Sequence, residues 1–183
     1  AISACEKCRQ WAHALLLFGT MRRRGWQPDI VAYNAAISAC AGAGRWAPAL
    51  LLLSEASAEP CVEPSAITYN AAISACELGG RWEWALYLLG HRCSIAAAGS
   101  TPGWSTEPAE LLLAYNSAVG ACAKAGQSTW ALRLLEAAQR TSLEPDPVTC
   151  SAVAGVCEGA GRLAPMPGLC KEMCRRAAEL LRG

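Results

Sequence analysis

The sequence predicts an all-α fold, an α-solenoid of tandem helix-turn-helix repeats. One phrase recurs letter for letter, because residues 33–40 and 69–76 both read YNAAISAC, and residues 115–122 form a looser copy. The cysteine that ends the phrase recurs at intervals of 35, 36, 46 and 35 residues, at Cys5, Cys40, Cys76, Cys122 and Cys157. Units of about this length hold two short helices, which cannot bury their apolar sides alone. Successive units must therefore stack on one another.

The composition restricts the class of protein. Hydrophobic residues make up 53% of the chain, yet no apolar run reaches the roughly 20 residues of a membrane span. The formal net charge of +1 argues against a strongly basic nucleic-acid binder but allows a local basic surface. Five of the 11 cysteines share one position of the repeat. This regularity indicates small buried side chains. The other cysteines follow no secreted disulfide framework, which favours a reducing compartment.

Alignment on the phrase divides the chain into repeat units. It gives a partial repeat at 1–29, complete repeats at 30–65, 66–111 and 112–146, and a degenerate terminal repeat at 147–183. Each first helix should end at a glycine-containing turn, because glycine supplies the positive φ of a helix C-cap. The first helices are predicted to begin near Val31, Ile67, Leu113 and Val148. The second helices are predicted to begin at Arg45-Trp46, Arg81-Trp82 and Gln127-Ser128.

The ends of the units carry their own signals. Units 1–29, 30–65 and 112–146 end in a proline-containing segment that stops the second helix. Asp29, Ser65 or Asp146 can accept hydrogen bonds at the turn into the next unit. Unit 66–111 is longer than the others, and its extra length is assigned to an exposed inserted loop at about 95–108, rich in Gly, Ala, Ser, Thr and Pro.

Both chain ends depart from the pattern. In the terminal repeat, Pro165 and Pro167 predict a late start of the second helix near Gly168. Ala1 lies inside a helical phrase and is not a methionine, so we expect a fragment that has lost any targeting segment.

These features resemble the pentatricopeptide repeat family. The resemblance rests on the Val/Ile-x-Tyr-Asn opening at residues 31–34 and 67–70, the Ala-Gly-Arg-Trp turn at 43–46, and the Met-x3-Gly-x2-Pro-Asp ending at 21–29. It implies a right-handed superhelix that binds single-stranded RNA, reading about one base per repeat with two or three side chains. It further implies a chloroplast or mitochondrial protein acting in RNA processing, stabilisation or translation.

The resemblance also implies which residues contact RNA. Aliphatic side chains would sandwich the base faces, namely Val31, Ile67, Leu113 and Val148. Polar side chains after each tyrosine or its equivalent, and at the unit ends, would meet the base edges, namely Asp29, Asn34, Ser65, Asn70, Asn116, Asp146 and Ser151. Asn116 with Asp146 resembles a uracil site, and Asn34 with Ser65 resembles a cytosine site. The alternative for the asparagines is a structural role in which each caps or turns the start of its helix.

Other chemistries receive little support from the residues. Cys5-x2-Cys8 with His13 superficially suggests zinc, but no second cysteine pair lies nearby. We expect no enzymatic activity, no metal and no cofactor, and neither DNA nor a membrane as a partner. The alternative to RNA binding is a protein-protein interaction scaffold, favoured by the near-neutral charge and the seven tryptophans.

Overall fold

A computed structural model describes residues 10–98, 107–141, 143 and 146–159 of the chain. Within these residues all regular secondary structure is helical. The helices follow one another as α1 (Trp11–Arg23), α2 (Ile30–Gly42), α3 (Trp46–Ala58), α4 (Ala66–Leu78), α5 (Trp82–Ala98), α6 (Pro108–Lys124), α7 (Ser128–Arg140) and α8 (Pro147–Gly159). The predicted all-α helical-hairpin architecture is confirmed.

The turn inside each complete unit closes in the same way. Gly44, Gly80 and Gly126 have φ of 65°, 68° and 70°, which only glycine adopts without strain. The N–H that follows each glycine donates to the carbonyl of the repeated cysteine, at 2.8–2.9 Å. This is the hydrogen bond of a Schellman cap, which ends the first helix and directs the chain into the second.

The helices form two layers of different density. The first helices of successive units, α2, α4, α6 and α8, pack directly against one another. In the described part of the chain, the backbones of the second helices α1, α3, α5 and α7 approach first helices but not each other, and a long side-chain pair, Arg22 with Glu55, bridges α1 and α3. The layer of first helices is therefore the compact, inner side of the stack, and the second helices splay apart on the outer side.

Small side chains explain the close approach of the first helices. Most of the fully buried side chains of α2 and α4 are small, being alanine, cysteine or threonine, and the others are tyrosine and isoleucine. The fully buried residues are Tyr33, Ala36, Ile37, Ala39, Cys40, Thr68, Ala72, Ile73, Ala75 and Cys76. The repeated cysteines Cys40, Cys76 and Cys122 are buried free thiols, as predicted. Burial raises the pKa of Cys40 to about 11 and that of Cys76 to about 12. These thiols act as small hydrophobic side chains.

The outer layer is tied together at its turns. The Arg45 guanidinium lies 4.4 Å from the ring centre of Trp11, one unit back, and Arg81 lies 4.7 Å from the ring centre of Trp46. Each contact joins the turn of one unit to the second helix of the preceding unit. Gln127 takes the place of the arginine at the next turn.

The two helices on either side of the insertion are longer than predicted. Helix α6 begins at Pro108, not near Leu113, because Pro108 occupies the first helical position, where its missing N–H costs nothing. At the other end, α5 continues through Ala98, so residues 95–98 of the expected loop are helical. The lengthened unit therefore contributes extra helical turns on both sides of its insertion.

Some expectations concern residues outside the described ranges. The start of the chain with Cys5 and Cys8, most of the insertion, and the second helix expected near Gly168 all lie there. Among the helices that are described, none has the length and apolar character needed to cross a membrane.

Candidate functional site

The inner layer exposes a row of aliphatic side chains, one from the start of each first helix. Val31 is 62% exposed, Ile67 56%, Leu113 53% and Val148 78%. In α2, α4 and α8 this residue is the second of the helix, so its side chain extends from an equivalent position in each unit. The four residues predicted to sandwich bases thus form an exposed aliphatic ladder, although valine, isoleucine and leucine are usually buried in folded proteins.

Asn34 lies next to the ladder, one turn into α2, and its carbonyl oxygen is already engaged. The Thr68 hydroxyl, on the next first helix, donates to Asn34 Oδ1 at 2.6 Å. Thr68 Oγ1 in turn accepts from the Ser65 N–H at 3.0 Å and lies 3.3 Å from Ser65 Oγ. The side chains of Asn34 and Ser65 are thereby linked through the fully buried Thr68. This arrangement leaves the Asn34 amide hydrogens without a partner in the described chain.

Asn116 has a different partner at the equivalent position. Its Nδ2 group donates to Asp146 Oδ2 at 2.9 Å. The other carboxylate oxygen, Asp146 Oδ1, accepts from the Thr149 N–H at 2.6 Å and caps α8. The structure therefore brings Asn116 and Asp146 into direct contact, with the carboxylate exposed. Asn116 Oδ1 is shielded from solvent and has no hydrogen-bond partner within the described residues.

Asn70 belongs to the same repeated phrase but does not share the exposure of the other two asparagines. Only 6% of its surface is exposed. Its Nδ2 group donates to the backbone carbonyl of Glu110 at 2.9 Å, and its Oδ1 is buried without a partner in the described chain. Glu110 lies in the first turn of α6, in the part of that helix that precedes Leu113. Asn70 therefore faces protein rather than the open groove.

The remaining predicted residues are Asp29, which precedes α2, and Ser151, the fifth residue of α8. Asp29 caps α2, because its Oδ1 accepts from the Ala32 N–H at 2.8 Å. Ser151 is exposed on α8. None of the three asparagines caps a helix; each is the fifth residue or later in its helix. The asparagines therefore do not cap their helices: Asp29 caps α2, Ser65 with Thr68 forms a capping box at α4, and α6 begins with Pro108.

The groove between α6 and α8 forms a cavity of about 440 Å³ beside Asn116 and Val148. Lys124 on its wall forms an ion pair with Glu77 at 2.9 Å. Gly120 makes room for this pair, because a Cβ at residue 120 would lie 2.7 Å from Glu77 Oε1. With Lys124 neutralised and Asp146 negative, this part of the groove attracts phosphate only weakly. The surface of this part of the groove consists of aliphatic and short polar side chains.

Two residues of the site were not predicted. Thr68 orients Asn34, and a signal for it existed, since Thr68 stands where the other complete units have Ala32 and Ala114. The Glu110 carbonyl that engages Asn70 is a backbone atom, so the residue type gave no signal.

Two family models match the sequence. A pentatricopeptide repeat domain model matches residues 16–79, and a PPR repeat model matches residues 1–26 and 113–140. Together these matches span more than half of the chain. The chain belongs to the pentatricopeptide repeat family. The repeated phrase, the Schellman turns and the exposed ladder are thus features of a pentatricopeptide repeat array.

Solved pentatricopeptide repeat structures have the same fold. The protein PPR10 in complex with an 18-nt psaJ RNA element is 28% identical with a TM-score of 0.69, and the match covers 98% of this chain and 25% of PPR10. A second structure, of PPR10 from maize, matches at 22% identity and a TM-score of 0.53, over 98% of this chain and 28% of that one. This pentatricopeptide repeat chain therefore spans about a quarter of the length of PPR10.

A third structure supports the fold alone. The PPR domain of Arabidopsis thaliana protein-only RNase P 1, in complex with tRNA, is 17% identical with a TM-score of 0.74. That match covers 100% of this chain and 88% of the other. Among curated proteins, no sequence matches this pentatricopeptide repeat chain.

Proposed function

We propose that this pentatricopeptide repeat chain binds single-stranded RNA through the face of its first helices, with about one base per repeat. The observation that carries the proposal is the exposed ladder of Val31, Ile67, Leu113 and Val148. Exposed aliphatic side chains at one repeat position offer flat apolar slots to unstacked bases. The RNA complex of PPR10, a 28% identical structure, supports the same ligand class.

The hydrogen bonds within the site favour different bases in different units. Because the Asn34 carbonyl is held by Thr68, Asn34 presents amide donors. Donors suit the adjacent N3 and O2 acceptors of cytosine, whereas uracil carries an N3–H at that place. Asp146 instead presents an exposed carboxylate beside Asn116, which can accept the uracil N3–H. We therefore propose a cytosine preference at unit 30–65 and a uracil preference at unit 112–146.

The cellular setting is part of the same proposal. Pentatricopeptide repeat proteins act in chloroplasts or mitochondria, in RNA processing, stabilisation or translation, and we propose an organellar role of this kind.

Protein binding is the second candidate function, and one observation favours it. Helices α3 and α5 flank an apolar cavity of about 580 Å³ on the outer side, lined in part by Leu51, Trp84 and Tyr87. Tyr87 is 61% exposed and Trp84 42%. Exposed aromatic clusters of this kind are typical of contact surfaces for other proteins.

A pair of matched leucine variants tests the RNA proposal. Leu113 on the inner side and Leu51 on the outer side are 53% and 61% exposed, so both changes to alanine should fold. Leu113→Ala should weaken binding of short single-stranded RNA about fivefold, from about 1 kcal/mol of lost apolar contact. Leu51→Ala should leave it unchanged. The measurement is fluorescence anisotropy of labelled RNA at low salt.

The same assay can reject the proposal. Absence of binding to any single-stranded RNA at low salt would remove it. Equal losses in the Leu113 and Leu51 variants would show that the inner face is not the RNA site.

A further inference from the structure

Two units with the same repeated phrase differ in what they offer a ligand. Residues 33–40 and 69–76 are identical, so sequence alone assigns Asn34 and Asn70 the same role. In the structure Asn34 is half-buried and its amide hydrogens have no partner among the described residues, while Asn70 is 6% exposed and donates to the Glu110 carbonyl. The difference comes from the element that follows each of them.

The early start of α6 produces this difference. Glu110 belongs to the residues of α6 that precede Leu113, the position at which the other first helices present their ladder residue. Leu111 and Leu112, which follow Glu110, are packed against the hydrophobic core and hold this turn in place. Turning Asn70 toward the groove would require breaking its bond to Glu110 and moving a turn that is anchored in the core. An open Asn70 is therefore disfavoured in the folded chain.

The apolar slot beside Asn70 is nevertheless intact. Ile67 is 56% exposed and Leu113, on the next first helix, is 53% exposed. A base can thus be held between these side chains by its faces, which all bases share. Its edge would meet no free amide from residue 70.

We infer that unit 66–111 holds a nucleotide without reading its base. This inference rests on the proposed RNA-binding function and adds that the middle repeat is a spacer. The chain then recognises a pyrimidine, any nucleotide, and a pyrimidine. Base selection is confined to Asn34 and to Asn116, whose partner Asp146 is an exposed side chain, whereas the partner of Asn70 is a backbone carbonyl.

The asparagine content of the chain permits a direct test. The 183-residue sequence contains three asparagines, Asn34, Asn70 and Asn116. A chain labelled with nitrogen-15 in asparagine therefore gives three side-chain NH2 signals in an NMR spectrum. On titration with short pyrimidine-rich RNA, the NH2 signals of Asn34 and Asn116 should shift. The Asn70 NH2 signal should stay in place and should exchange slowly with solvent.

Base selection provides the second readout. Binding sites selected from a random RNA pool should show base preference at two positions that flank a position with none. Asn70→Ser should leave the selected pattern unchanged, whereas Asn34→Ser and Asn116→Ser should each alter one flanking position. The altered preference should be roughly five- to 150-fold, the range for one correctly read base edge.

The outcomes separate this inference from the function on which it rests. Absence of RNA binding would overturn both. Binding accompanied by a shift of the Asn70 signal, or by a preference at the middle position that Asn70→Ser removes, would overturn the inference alone. If Asn70→Ser does not fold, the NMR titration of the unmodified chain still decides between these outcomes.

Discussion

Replacing Thr68 by valine should destabilise the fold and, under the proposed function, relax cytosine preference. Thr68 is fully buried, and its hydroxyl both accepts from the Ser65 N–H and donates to Asn34 Oδ1. Valine keeps the branched shape but removes both hydrogen bonds. Each bond is worth about 0.5–1.5 kcal/mol net, so Thr68→Val should lower the free energy of unfolding by about 1–3 kcal/mol.

Thr149→Val is the matched control for this variant. Thr149 occupies the equivalent helix position and is 7% exposed, but its hydroxyl makes no hydrogen bond within the described chain. Its replacement should change the unfolding free energy by less than about 0.5 kcal/mol. Urea denaturation followed by far-ultraviolet circular dichroism measures both variants.

The base preference gives a second readout that stability alone would not move. Without the Thr68 hydroxyl, Asn34 is free to turn its carbonyl toward the base, so the cytosine preference should fall while the uracil preference at Asn116 persists. Equal unfolding free energies for the two valine variants would refute the role assigned to Thr68. An unchanged cytosine preference would refute its orienting role.

Two further predictions follow from other contacts. Asp146→Ala should lower the free energy of unfolding by about 1 kcal/mol in the urea assay because the α8 cap is lost, and Asp29→Ala should do the same at α2. Only the Asp146 variant should lose the uracil preference. Equal base preferences in the two variants would contradict the pairing of Asp146 with Asn116. Burial raises the pKa of Cys40 to about 11 and of Cys76 to about 12, so these thiols stay protonated in the folded chain while the unfolded chain loses their protons. The unfolding free energy should therefore fall as the pH rises from about 9 toward about 11. Urea titrations across that range should show a shallower fall for Cys76→Ala than for the unmodified chain. If the unfolding free energy of both falls equally with pH, the Cys76 thiol is excluded as a cause.

The features that depend on one unit could be predicted from the sequence. The glycine turns, the buried cysteines and the starts of α2, α4 and α8 follow from residues that are close together in the chain. The proline and glutamate at the start of α6 also indicate the beginning of a helix. The alignment on the repeated phrase, however, placed the predicted start near Leu113. The start near Leu113 was therefore wrong by about one helical turn.

The fate of each asparagine could not be predicted in the same way. Asn34 is held by a residue 34 positions away and Asn70 by a carbonyl 40 positions away. Identical phrases thus acquire different environments from the unit that follows. The exposed ladder was predictable by resemblance, but composition alone would have placed Val31 or Ile67 in the core.

The two ends of each helical hairpin have unequal tolerance for added sequence. The arginine–tryptophan contacts that join successive units lie at the turn inside a unit, where Arg81 meets Trp46. The insertion lies at the opposite end, after Ala98, and the turn at Gly80 keeps the geometry of its counterparts. Lengthening a connection costs little, since doubling its length adds about 0.6 kcal/mol of closure entropy. We therefore expect that a reporter or an additional domain introduced after Ala98 would leave the joints between repeats undisturbed.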